Sequence, residues 1–295
     1  MTYSILEKKF QMRFINFSFL ILFGFIIQTV DSQNAFSQTD YVSPYSIKYT
    51  FSRDSLIYDL LNTERGDYKQ SSTTDYADWY SSSVKKKYGV WGPATKQYDT
   101  PEIIKEKSAE WMRERLIATA SLFLGYGYQH HHIPDWDPPA GWPWKKVCMG
   151  TNGKGVDCSN FTAYIYNVGF GIKLNSNTLK QSQMLNLSEI SNGLVENAEM
   201  INEPATYEDF VNTFKPGDLL FIKAANNKPV SHVIVWLGYM GQSPDGTPLI
   251  MDSHGAEVKD ANGNTIPCGI HIRPFEKTSW YYNKFSHAIR IIGSN

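Results

Sequence analysis

The order in which two hydrophobic textures follow one another constrains this chain most. Upstream, Ile104, Trp111, Ala118 and Leu122 make one apolar stripe at helical spacing. Thr100-Pro101-Glu102 offers an N-cap, a first-turn Pro and an acidic residue near the positive end of the dipole, so a helix is expected from about 101 to 124. A second helix is expected over Phe161 to Val168, its first turn beginning close to Cys158 and its end marked by Gly169 and Gly171. Past Pro216-Gly217 the pattern changes to short apolar runs, Leu219 to Ile222, His232 to Leu237, Leu249 to Met251 and Ile289 to Ile292, which read as strands between turn-rich spacers. Helices first and antiparallel strands second is an α+β arrangement with helices packed on one face of a sheet.

The chain ahead of these elements reads differently. Lys8, Lys9 and Arg13 precede an apolar run from Phe14 to Val30, followed by small residues that suit cleavage near Ser32 or Ser37, so residues 1–37 are expected to be an export signal. The run is only about 17 residues long, the lower limit for crossing a bilayer, and no stable membrane insertion is expected after cleavage. No Cys precedes Cys148, which excludes a lipoprotein anchor at the end of that run. The expected location is periplasmic or extracellular. Residues 38–100, rich in Tyr, Ser, Thr and Asp and broken by Pro44, Gly66, Gly89, Gly92 and Pro93, are expected to form an irregular extension. Residues 101–295 then form the main domain.

Composition narrows the function classes. A formal charge of −1 and 19 % charged residues leave no broad basic field, so nucleic acid is not an expected partner. A monomer is expected. The stretch 125–157 is Gly-, Pro- and Trp-rich and reads as a long loop, the kind that serves as a lid or binding segment. Its run His130-His131-His132 is a poor metal site, because consecutive side chains in an extended segment point to opposite faces. No metal and no cofactor are expected. Trp136, Trp142 and Trp144 either stack on sugar rings or pin the loop to the body. Three cysteines leave at least one thiol unbridged.

That thiol is where chemistry concentrates. A thiol attacks as the thiolate, and with an unperturbed pKa of about 8.5 only about 3 % is ionised at pH 7. A helix N-terminus and an adjacent imidazolium both favour the charged form. Gly155-Val156-Asp157-Cys158-Ser159-Asn160-Phe161 places Cys158 after a Gly-bearing turn at the start of an apolar helix. The base is expected from the strand region, where Ser231-His232-Val233 sets His232 at a strand start. A third polar group normally orients such a ring. His254, beyond the strand Leu249 to Met251, is the candidate, with Asp252 and His271 competing for the place.

GVDCSNF opening a helix, KPGDLLFIK, SHVIVWLG and a His at the end of the next strand together resemble the NlpC family of papain-like cysteine peptidases, which act on bacterial cell-wall peptides. The similarity covers roughly residues 110 to 292. It implies a papain-like α+β fold with Cys158 as nucleophile, His232 as general base and then acid, His254 as the orienting residue, and the Cys158 N–H helping to hold the oxyanion. Leu124-Gly125-Tyr126-Gly127-Tyr128 resembles the family segment whose Tyr lines the site, with Tyr128 the better fit and Tyr126 the alternative. Asp157 and Ser159 are the residues that the resemblance implies would hold a substrate ammonium group. In an oxidising compartment Cys148 and Cys268 are then the natural disulfide pair. The implied substrate is a peptidoglycan stem peptide or muropeptide, cut between γ-D-glutamate and the diamino acid. Two rivals stay open: an amidase or esterase with the same dyad, and a wall-binding module without turnover. Asn160 in place of a frequent Gly and the long loop before Cys158 depart from the family pattern.

Overall fold

The computed structural model describes residues 41–62, 97–128, 148 and 155–293. The chain divides into Met1–Thr39 and Asp40–Asn295, and all described residues belong to the second unit. The expected signal, most of the expected extension and the Trp- and His-bearing part of the long loop lie outside the described residues.

The helices are α1 (Arg53–Asn62), α2 (Ala109–Ser121), α3 (Cys158–Phe170), α4 (Thr178–Gln181), α5 (Tyr207–Thr213) and α6 (Trp280–Asn283). Six strands, β1 (Glu199–Asn202), β2 (Leu219–Lys223), β3 (Val230–Trp236), β4 (Leu249–His254), β5 (Gly269–Pro274) and β6 (Phe285–Arg290), form one sheet. Its order is β1-β6-β2-β3-β4-β5, with every neighbouring pair antiparallel. The α+β expectation therefore holds. Two short antiparallel pairs, Ser46–Ile47 with Gly241–Gln242 and Val258–Lys259 with Thr265–Ile266, stand beside it.

Alternation along the strands divides the interior into two cores. Leu219, Phe221, Val233, Val235, Leu249 and Met251 pack with α2 and α3, whereas Leu220, Ile222, Ile234, Trp236 and Ile250 pack with Phe210, Phe214, Phe275 and Tyr281. Helices thus do not cover one face alone, as the element order suggested. The runs Leu219 to Ile222 and Val233 to Leu237 are continuously apolar rather than alternating, which is the mark of a strand covered on both faces.

The helix of the 101–124 stripe begins later than expected. Glu102–Ile104 is a single 3₁₀ turn, Lys105 is extended, Glu106 takes φ +63°, and only then does Ser108 cap α2 by accepting from the Trp111 amide. The helix α3 runs from Cys158 to Phe170 and is buried on all sides. Gly169 lies within it, and Gly171 ends it at φ +75°, where a Cβ would meet the Tyr98 carbonyl at 2.6 Å. Strands β1 and β5 were not expected, since Glu199-Met200-Ile201-Asn202 and Gly269-Ile270-His271-Ile272-Arg273 carry polar residues in an uneven pattern. Ile291 and Ile292 lie just beyond β6.

The KPGD turn ties the layers together. Asp218 accepts from Arg290 of β6 (2.7 and 3.1 Å), from Arg113 of α2 (3.4 Å) and from the Lys215 amide (2.9 Å). This buried cluster fixes α2 and β6 against the same turn, and removing one partner would leave a buried charge without compensation.

Candidate active site

Cys158 is the first residue of α3, 5 % exposed and the free cysteine, while Cys148 and Cys268 are bridged. Asp157 forms the N-cap: its carboxylate accepts from the Asn160 amide and from Asn160 Nδ2, each at 2.9 Å. The sulfur therefore sits at the positive end of a buried helix, where unpaired N–H groups and the dipole favour an anion. The Ser253 hydroxyl of β4 donates to the Val156 carbonyl and pins the approach to the helix against the sheet.

The imidazole comes from the neighbouring strand. The β3–β4 ladder consists of Val235↔Met251 and Trp236↔Ile250, so toward His232 and His254 the two strands are no longer paired with each other. At this open end Asp252 reaches across to His232, with Oδ2 2.7 Å from Nε2. A carboxylate accepts, so Nε2 carries the hydrogen and Nδ1 is the ring atom left for the sulfur. Burial disfavours the charged ring, but the Cys158 sulfur, to which it is also hydrogen-bonded, and the Asp252 carboxylate outweigh burial and raise the His232 pKa to about 10.

Asp252 is fully buried and held from two more sides. Arg273 Nη1 donates to its Oδ1 at 2.6 Å and the Tyr281 hydroxyl donates to its Oδ2 at 3.0 Å. Burial alone would raise its pKa, but the Arg273 guanidinium and His232 overcome this and hold the carboxyl well below the usual range. Arg273 Nη2 also donates to the carbonyls of Pro267 (2.8 Å) and Gly269 (3.0 Å) on either side of Cys268.

His254 does not take the orienting place. Its ring lies edge-on to His232, centroids 5.2 Å apart, and its Nδ1 pairs with the Ala256 carbonyl at 3.0 Å. Asp252, two residues earlier on the same face of β4, bonds His232 instead. A signal for this was present: an acidic residue inside the apolar run Leu249-Ile250-Met251-Asp252 must be paired if the strand is buried. Arg273 and Tyr281 carried no such signal, because their value depends on where β5 and α6 lie.

Tyr128 is brought to the site and Tyr126 is not. The segment is held between Val156 N, which donates to the Gly127 carbonyl (3.0 Å), and Ile270 N, which donates to the Tyr126 carbonyl (2.8 Å). Gly269 allows this approach: at φ +105°, its Cβ would stand 2.1 Å from the Tyr126 oxygen. The Tyr126 ring packs on Phe123, whereas the Tyr128 hydroxyl lies in the field of Cys158, Asp157 and Asp252, and burial followed by those charges pushes its pKa far up. The Tyr128 ring rests on Gly255, where a Cβ would be 3.2 Å from it. Asp157 and Ser159 flank the sulfur, but their polar atoms are engaged internally, Asp157 as the helix cap and Ser159 by donating to the Ser176 carbonyl at 2.6 Å. Both residues stand beside the sulfur, where the resemblance expects them. Among the described residues no group of three His, Cys, Asp or Glu is placed to hold a metal ion, and no helix is long and apolar enough to cross a membrane.

A thiol at a helix N-terminus, an imidazole beside it and a buried carboxylate behind the imidazole, on an α+β scaffold, is the arrangement that cysteine hydrolases use for acyl transfer. Residues 145–285 match the NlpC/P60 family, the family that the motifs resemble. Members of that family are cysteine peptidases, typically peptidoglycan hydrolases of the cell wall. Solved structures similar to the chain include an NlpC/P60 family protein from Bacillus cereus (21 % identity, TM-score 0.34, covering 61 % of this chain and 40 % of that one). NlpC2 from Trichomonas vaginalis is another (16 % identity, TM-score 0.33, 61 % and 46 %), as is the NlpC/p60 domain of the peptidoglycan hydrolase SagA (18 % identity, TM-score 0.31, 60 % and 96 %). The chain spans less than half the length of the first two. No curated protein matches it.

Proposed function

We propose that this protein is an exported cysteine endopeptidase that hydrolyses peptidoglycan stem peptides, in muropeptides or in the wall, at the bond between γ-D-glutamate and the diamino acid. The observation that carries the reading is the position of His232, bonded through Nε2 to Asp252 and facing Cys158 with its other nitrogen. Export is supported by the apolar run that follows Lys8, Lys9 and Arg13 and by the Cys148–Cys268 bridge, which suits an oxidising compartment. The NlpC/P60 match supports the substrate class.

In the proposed reaction the Cys158 thiolate attacks the acyl carbon and a C–S bond forms. The Cys158 N–H at the helix start and the protonated Tyr128 hydroxyl supply donors for the oxyanion. His232 passes its Nδ1 proton to the leaving amine as the C–N bond breaks. It then takes a proton from water, whose oxygen attacks the thioester, and the C–S bond breaks to restore the thiolate–imidazolium pair. Asp252, kept anionic by Arg273 and Tyr281, holds the ring in one tautomer throughout.

Mass spectrometry of defined stem tripeptides and tetrapeptides tests this. The parent is expected to release the diamino acid from γ-D-glutamate, and Cys158→Ala to release none, a loss of at least about a thousandfold. Stem peptides left intact while another amide or ester is cut would remove the wall substrate. Retention on purified wall without turnover in the parent would make the chain a binding module.

A further inference from the structure

His254 is left without the orienting role, yet of the rings packed on His232 it stands nearest, at 5.2 Å against 5.6 Å for Trp280 and 6.1 Å for Tyr281. Three observations define its state. The Ala256 carbonyl can only accept, so His254 Nδ1 carries the ring hydrogen and the neutral ring's Nε2 is an acceptor. Burial, reinforced by the positive charge of His232 and Arg273 and opposed by Asp252, lowers its pKa, so the ring is neutral at pH 7. The ring is fixed in position, stacked on Trp280 at 6.0 Å and 29° and packed against Tyr281 at 5.7 Å. Among the described residues Nε2 has no hydrogen-bond partner, and it is not among the sealed, unpaired polar atoms of the interior.

From this geometry we infer that His254 is a specificity-determining residue that accepts a hydrogen bond from the N–H of the leaving group and thereby selects amides over esters. The inference rests on the proposed acyl transfer and deepens it. With ring centroids 5.2 Å apart, a leaving-group nitrogen seated between the two rings meets both His232 and His254. An amide nitrogen carries a hydrogen that Nε2 can accept, which turns the nitrogen lone pair toward the proton donor. An ester oxygen has none, and the same acceptor gives it nothing. Trp280 backs the ring and limits its rotation, so the acceptor direction is set before substrate arrives.

The test compares two substrates in the full chain: a γ-D-glutamyl stem peptide, and its depsipeptide analogue in which the scissile N–H is replaced by oxygen. His254→Phe keeps an aromatic ring against Trp280 and removes the acceptor, while His254→Asn restores an acceptor at shorter reach. Iodoacetamide alkylation of Cys158 reports on the dyad in each variant. For His254→Phe we expect kcat/KM on the amide to fall about tenfold, the ester to be unchanged and alkylation to match the parent. His254→Asn is expected to recover part of the amide rate. Equal loss on both substrates, or no loss on either, overturns the role of His254 and leaves hydrolysis by Cys158 standing. A parent that alkylates at Cys158 yet hydrolyses neither substrate overturns the peptidase reading and this inference with it.

Discussion

At the scale of single residues, burial and charge set opposite pH responses in two histidines. The His232 pKa is raised to about 10, so its contribution to stability is complete below about pH 6.5 and is lost as pH rises toward 10. Burial, followed by the Arg273 charge, lowers the His271 pKa to about 4, and its Nε2 is buried without a partner. Its unfolded form therefore binds more protons between about pH 6.5 and 4, and the folded state loses stability as pH falls through that window. His232 is flat across the same range, and the Asp252 carboxyl titrates below it. Urea midpoints measured between pH 7 and 4.5 are expected to fall in the parent and to fall less in His271→Phe; identical acid slopes would contradict the assignment. Residues also show where sequence reading stops. Cys158 and His232 are legible because each stands beside an element boundary that the pattern marks. Asp252 and His254 share one face of one strand, about 6.6 Å apart, and only the point where the β3–β4 ladder ends selects the carboxylate.

Between elements, the decisive link is the turn that carries Cys268. The bridge to Cys148 closes a separation of 120 residues, and Cys148 is in turn bonded to Tyr128, whose amide donates to its sulfur at 2.9 Å. Arg273 joins the carbonyls flanking Cys268 to Asp252. A loop of that length predicts a disulfide contribution of about 4–5 kcal/mol on the chain-entropy account. Reduction with a dithiol is expected to lower Tm by many degrees and to slow hydrolysis as Tyr128 and Arg273 lose their anchor. An unchanged Tm on full reduction would show that the bridge holds nothing in place. The sequence allowed the pairing to be named but not its consequence, since β5 was too polar to read as a strand. Arg273 is buried with its Nη donors met by Asp252 and by the Pro267 and Gly269 carbonyls. The late start of α2 has a similar cause: Thr100-Pro101-Glu102 satisfies local capping rules, yet Glu106 at φ +63° interrupts the backbone, and Ser108 caps the helix that packs.

For the molecule as a whole, the α+β class followed from two hydrophobic textures in order, and the pairing of the Cys158 helix start with the His232 strand from the motifs around those two residues. The second core did not follow, because the short helices Tyr207–Thr213 and Trp280–Asn283 carry too few turns to show a period. Their aromatic residues cover the outer sheet face and supply Tyr281 and Trp280 to the site. All of these parts converge on one electrostatic claim, that Cys158 and His232 form an ion pair stabilised by Asp252 and the start of α3. The rate of iodoacetamide alkylation of Cys158 against pH, in the parent and in His232→Ala, tests it most directly. The parent is expected to react fast at pH 6 to 7 and to stay nearly level until the ring loses its proton near pH 10, whereas His232→Ala should react slowly at pH 6 to 7 and climb as pH rises. Two superimposable curves, both slow at pH 6 to 7 and rising together with pH, would contradict the account.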